Sequence, residues 1–237
     1  MEKRTKPVLT TGKVDNFNFL IRKGSSLIFN KAAPTLERIR ENNAEFGNAC
    51  RAGKIIRRTF KNMASDIADG TIRARLSGIL VKVLQTDTTH VCGLRTVQSG
   101  NLTLIEGFQF NGSMPFETVL SVAPVVNIER SDGKCFFNLP CFVPAKAIMA
   151  PRGTTHFKIL VEASEIDFAK EINTPDSQYT PELPIDNKLT EPINMQLQFA
   201  PGSTHPIIIA AGVVFYQLFN EEMYLLRSYR AMKIVKV

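Results

Sequence analysis

Val125-Val126-Asn127-Ile128-Glu129-Arg130-Ser131-Asp132-Gly133-Lys134-Cys135-Phe136-Phe137-Asn138-Leu139 reads as two short strands around a tight turn. Ser131–Lys134 supplies turn-forming residues between two runs of β-type residues, which is a strong hairpin pattern. The same period-two signal continues on both sides. Upstream, Leu102, Leu104, Phe108 and Phe110 alternate with Thr103, Ile105 and Gln109. Downstream, strands are expected over 155–168, 193–199, 206–218, 223–226 and 231–237. Ile193, Met195, Leu197 and Phe199 alternate with Asn194, Gln196 and Gln198, so one face of that strand is wet. Segment 174–192, with Pro175, Pro181, Pro184 and Pro192, is the best surface-loop candidate. Some eight strands with Pro/Gly turns predict an antiparallel β-sandwich or open barrel over 87–237.

Before Asp87 the period changes to that of a helix. Leu36, Ile39, Phe46, Cys50, Ile56, Phe60, Met63 and Ile67 recur at helical spacing, after a start at Pro34-Thr35. Gly47 and Gly53 mark a kink or a close helix contact. Asp69-Gly70-Thr71 breaks the pattern, and a second helix follows over 71–85 with Ile72, Leu76, Ile79, Leu80 and Val83 on its apolar side. The short connection predicts a helical hairpin over 34–86. Ahead of it, Asn16–Arg22 alternates, Lys23-Gly24-Ser25 is a turn signal, and Ser26–Phe29 forms a second short strand. Residues 1–33 are thus a tail and β-hairpin. An isolated hairpin is marginal in water, so Phe17 and Phe19 are expected to pack on the sandwich or on a neighbouring subunit. The fold class is α+β.

Charge divides at the same point. Residues 1–86 carry 17 Lys/Arg against 7 Asp/Glu, and residues 87–237 carry 12 against 15. Such asymmetry speaks about partners. Arg51, Lys54, Arg58 and Lys61 are spaced to line one helix face, opposite Ile56, Phe60, Met63 and Ile67. Arg57, Arg73, Arg75 and Lys82 add to the region. The stripe suits a phosphate backbone, an anionic surface, the acidic half of a neighbouring subunit, or simply solvent. No helix-turn-helix, zinc-finger or RNP-type pattern accompanies it.

Chemistry-bearing motifs are sparse. The sequence has no G-x-S-x-G elbow, no phosphate loop and no G-x-G-x-x-G, so neither a cofactor nor a catalytic set is expected. Cys50, Cys92, Cys135 and Cys141 lack C-x-x-C spacing and read chiefly as reduced residues, although Cys135 and Cys141 are close enough in sequence to meet. Ala150-Pro151-Arg152-Gly153-Thr154-Thr155-His156 echoes Ala200-Pro201-Gly202-Ser203-Thr204-His205, which suggests equivalent corners that could bring two histidines to one end of the sandwich. No third metal ligand announces itself. Glu162, Glu165 and Asp167 read as a wet sheet face. Neither a signal-type h-region nor a run of membrane-spanning length occurs, so the default expectation is a cytoplasmic protein, with export inside a larger assembly left open.

Three stretches carry a resemblance: Arg40–Gly47 with Ala52–Arg57, Leu104–Asn111, and Gly153–Ile159. They resemble a family of uncharacterised Bacteroidota proteins of about this length. The resemblance implies a shared fold and no stated activity. The expectation from the residues is a non-enzymatic structural protein that self-assembles into a homo-oligomer or filament. Arg51, Lys54, Arg58, Lys61, Phe17 and Phe19 form its interaction surface. The alternative is nucleic-acid binding through the basic stripe.

Overall fold

The computed structural model describes residues 10–14, 17–22, 25–29, 36–64, 67 and 69–237; segments 10–14, 17–22 and 25–29, and residues 228–229, are described by backbone alone. The expected helix start at Pro34-Thr35 and the turn at Lys23-Gly24 lie outside the described residues. The chain divides between Asn43 and Ala44 into two compact units.

The first unit holds three strands, β1 (Thr10–Val14), β2 (Phe17–Arg22) and β3 (Ser25–Phe29), in the order β1-β2-β3. Phe19 of β2 pairs with Gly12 on one side and Ile28 on the other, both antiparallel. Helix α1 (Leu36–Thr59) begins in this unit and runs into the second.

The second unit is built on strand β10 (Ile207–Phe219), whose first nine residues are all buried. A strand buried at every position must be covered on both faces. On one face Ile208, Ala210 and Val214 pack in a core with Ala49, Ala52, Ile55 and Ile56 of α1 and Leu76, Leu80, Val83 and Leu84 of α3 (Ile72–Gln85). On the other face Ile207, Ile209, Ala211, Val213 and Phe215 share a second core with Cys135, Phe137 and Leu139 of β5 (Lys134–Leu139) and Met195 and Leu197 of β9 (Ile193–Gln198). The large sheet has the order β11-β10-β6-β7, where β6 is His156–Asp167, β7 is Ile172–Tyr179 and β11 is Glu222–Lys236; β8 (Leu183–Pro184) pairs with β6. The small sheet is β4-β5-β9, with β4 at Val125–Glu129. Every pairing within them is antiparallel. Helices thus lie on one side of the large sheet and the small sheet on the other. Short helical turns α2 (Lys61–Ala64), α4 (Phe116–Val119) and α5 (Pro144–Ala147) complete the unit.

Several elements differ from the sequence reading, each for a local reason. The β4–β5 hairpin forms as read, and Gly133 is required there: its φ is 67°, and a Cβ would stand 2.3 Å from the Phe199 carbonyl oxygen. Leu102–Ile105, read as strand, is a 3₁₀ turn. The Asn101 side chain accepts from Thr103 N (3.1 Å) and Thr103 Oγ1 (2.6 Å), a cap that overrides the apolar alternation. Segment 174–192, read as loop, contributes most of β7 and all of β8. Pro175 is tolerated because β7 ends its sheet. The strands expected at 223–226 and 231–237 are one strand, β11, whose register jumps between Val213/Ala231 and Phe215/Leu226. Gly47 sits in unbroken α1 with open space around it, whereas a Cβ at Gly53 would meet Leu80 (3.4 Å) and Leu76 (3.7 Å) of α3. Gly53 is therefore the close helix contact.

Candidate functional site

The basic stripe of α1 follows from the helical period. Ala52, Ile55, Ile56 and Thr59 are buried beneath it, while Arg51, Lys54, Arg58 and, at the start of α2, Lys61 are exposed. Arg51, Lys54 and Lys61 enter no ion pair among the described residues. The stripe does not act as one continuous surface. Arg51 borders a cavity of about 440 Å³ floored by Ala52, Ile55, Val97 and Phe168. Arg58 donates from Nη2 to the Glu171 carbonyl. Lys61 belongs to a second cleft, of about 540 Å³, with Arg57, Arg73, Ile72, Phe110 and Asp69. Phe17 and Phe19 lie on β2 of the first unit, described by backbone only.

Arg75, grouped with the cations from sequence, is a structural residue. It donates from Nη2 to Asp69 Oδ2 (2.8 Å) and from Nη1 to the Gln109 carbonyl (2.6 Å), and it lies 5.1 Å from the Phe108 ring centroid. Asp69 also accepts from Gly112 N (2.7 Å) and from Thr71 N and Oγ1 (both 2.8 Å). Burial pushes the Asp69 carboxyl up, but the bonds from Gly112 and Thr71 and the Arg75 charge outweigh it and hold it at about 2.

The histidines do not meet. Strands β6 and β10 are antiparallel neighbours, so the corners that precede them lie at opposite ends of the pair. His156 and His205 are separated by the length of β6, about 30 Å from the rise of a strand. At one end, Glu165 accepts from Ser203 Oγ and Ala200 N, and Asp167 accepts from Ala169 N and Lys170 N. These carboxylates hold corners in place. No cluster of three or more His, Cys, Asp or Glu able to hold a metal exists among the described residues. All four cysteines are free thiols, and burial pushes the Cys135 thiol up to about 12.

Glu162 departs from the wet-face reading. It lies on the helix-covered side of β6, opposite Ala210, and is only 5% exposed. Its Oε1 is buried without a hydrogen-bond partner, and burial pushes its carboxyl up to about 7.

The second feature that sequence reasoning missed is the arm formed by the far ends of β10 and β11. Beyond Phe215 the strand pair continues for four further residue pairs, Tyr216/Leu225, Gln217/Tyr224, Leu218/Met223 and Phe219/Glu222. Directly opposed residues share a face, so Tyr216, Leu225, Leu218 and Met223 form one apolar patch. Leu218, Phe219, Met223, Tyr224 and Leu225 are all exposed, Phe219 by 59%. Asn220 and Glu221 close the arm with φ of 50° and 62°, the two left-handed positions of a primed hairpin turn. The Asn220-Glu221 pair between two apolar runs was the signal available in the sequence.

No family model matches the chain, and no curated protein or solved structure matches it. No helix among the described residues is long and apolar enough to cross a membrane.

Proposed function

We propose that the protein is a non-enzymatic structural component that assembles from copies of itself into a homo-oligomer or filament. The observation that carries this reading is the β10–β11 arm, where five large apolar side chains are exposed on one short hairpin. Apolar surface gathered in this way is costly in water and is relieved by a partner. The partner is a second copy, on grounds of charge. The arm tip bears Glu221 and Glu222, and the face of α1 bears Arg51 and Lys54 beside an apolar-floored cavity. Arm and cavity are different surfaces, so their contact is heterologous and leads to a ring or a filament. In this reading the two sheets are the halves of a β-sandwich. The N-terminal strands with Phe17 and Phe19 form a hairpin that adds to the edge of a neighbour's sheet.

Size-exclusion chromatography with light scattering on the full chain tests the proposal. We expect a mass above that of one chain, falling to one chain in Leu218→Glu/Met223→Glu with the circular-dichroism spectrum of the folded chain retained. A strict monomer at every concentration would refute it. The second reading, a polyanion bound along the stripe, is favoured by the exposure of Arg51, Lys54 and Lys61 without ion pairs among the described residues. It requires salt-dependent binding of nucleic acid that Lys54→Gln weakens.

A further inference from the structure

We infer that the cleft between α1, α2 and α3 is a binding site for a phosphate-type dianion, formed by Arg57, Lys61 and Arg73 over a floor of Ile72, Phe110 and Ala64.

Three cations, Arg57, Lys61 and Arg73, line this cleft, and none of them is paired with a carboxylate among the described residues. Asp69 is the acid on its wall among the described residues, and both of its oxygens are committed: Oδ1 to Thr71, Oδ2 to Arg75 and Gly112. Asp69 and Arg75 thus form a neutral pair at the rim, and the three charges remain. Arg57 spends Nε on the Gly53 carbonyl at 3.2 Å. Its terminal nitrogens, the Lys61 ammonium and the Arg73 guanidinium have no hydrogen bond or ion pair among the described residues. Burial, and then the charge of Arg73, hold the Arg57 pKa below its ordinary value, so the two guanidinium groups repel each other when the cleft is empty. A ligand of charge −2 would relieve that repulsion.

Guanidinium forks match tetrahedral oxyanions through paired N–H donors, and an ammonium adds a compact charge from a third direction. A monocarboxylate offers one charge to three cations and leaves most of the repulsion in place. Phosphate has its second ionisation near pH 6 and is a dianion above neutrality. The volume, about 540 Å³, exceeds inorganic phosphate and falls in the range of small-molecule sites. Ile72, at the edge of the floor, offers apolar contact to whatever carries the group. The ligand is therefore free phosphate or a small phosphate monoester.

Isothermal titration at pH 8 in low salt tests the site, with inorganic phosphate, phenyl phosphate and acetate as probes. Phosphate should bind the full chain, phenyl phosphate should bind at least as tightly, and acetate should not bind. Lys61→Gln/Arg73→Gln, whose wild-type side chains are exposed, should fold normally and lose at least tenfold in phosphate affinity. Lys54→Gln, on α1 but outside the cleft, should bind as the wild type does. Equal binding of acetate, or affinity unmoved in the double variant, overturns the inference. An equal loss in Lys54→Gln does so too, because it would place the anion along the stripe. The inference is independent of self-assembly: Leu218→Glu/Met223→Glu should bind phosphate as the wild type does, so failure of one proposal leaves the other standing.

Discussion

Replacing Glu162 by Gln should make the protein more stable, and only above neutral pH. Glu162 occupies the helix-covered face of β6, 5% exposed, with Oε1 unpartnered. Its carboxyl ionises at about 7 in the folded chain, against 4.5 when unburied. A raised carboxyl pKa means the folded state holds the proton more tightly than the unfolded state. The associated stability is complete below 4.5 and is lost as pH rises through 7. A shift of this size corresponds to about 3 kcal/mol at most, from about 1.4 kcal/mol per pH unit. Water reaching the carboxylate and relaxation of the surroundings reduce this to about 2 kcal/mol. Gln keeps the shape of the neutral acid and has no charge to desolvate. Chemical denaturation of wild type and Glu162→Gln at pH 4 and pH 8 isolates the effect, because other titrating groups cancel in the difference. At pH 4 the two should agree. At pH 8 the variant should lead by about 2 kcal/mol, or about 4–8 °C in melting temperature for a domain of this size. A variant less stable than wild type at pH 8, or a lead of equal size at both pH values, would refute the account of a buried, uncompensated carboxylate.

Three further outcomes follow from local geometry. Gly47 lies inside α1 with open space where a Cβ would stand, so Gly47→Ala should raise stability by about 1 kcal/mol through helix propensity alone, whereas Gly133→Ala should lower it by more than that and weaken the β4–β5 turn; thermal melts of both separate the cases. Asp69→Asn removes the carboxylate that Arg75, Thr71 and Gly112 satisfy, and should cost about 1 kcal/mol at pH 7. Because the folded carboxyl ionises at about 2 against an ordinary 3.8, that contribution is present above 3.8 and fades as pH falls through 2, so wild type and variant should converge in acid melts.

The α+β class, the β4–β5 hairpin, the buried face of α3 and of the later turns of α1, and the Gly53 contact were legible because each depends on spacing within one segment; Leu36, Ile39 and Phe46, read on the same apolar side of α1, are instead exposed. The 3₁₀ turn at Leu102–Ile105 was not, because one capping side chain, Asn101, outweighs the alternation around it. The nature of 174–192 was hidden by prolines that an edge strand accommodates. Glu162 and the Arg57–Lys61–Arg73 cleft share a different cause. Glu162 is one acid among three on β6, and only the path of α1 and α3 over that sheet decides that it alone is covered. Arg57 and Arg73 are 16 positions apart in the sequence and become neighbours through the return of the chain at Asp69-Gly70-Thr71. Charge brought together by tertiary structure has no local signature.

Strand β10 carries the case for assembly furthest. Ile207–Phe215 is apolar because helices cover one face and β5 and β9 the other. A strand pair that only completed this core would end at Phe215 or turn polar beyond it. It instead continues through Tyr216/Leu225 and Leu218/Met223, where Leu218, Met223 and Leu225 are exposed. Burying one such side chain is worth about 2 kcal/mol, so leaving several in water is a substantial cost with no return to the single chain. The turn carries the exposed Glu221 and Glu222, which in the proposed assembly would meet a basic face. In the proposed assembly a second copy covers the arm and offsets that cost, and the patch stands at the far end of the β10–β11 pair, beyond the core.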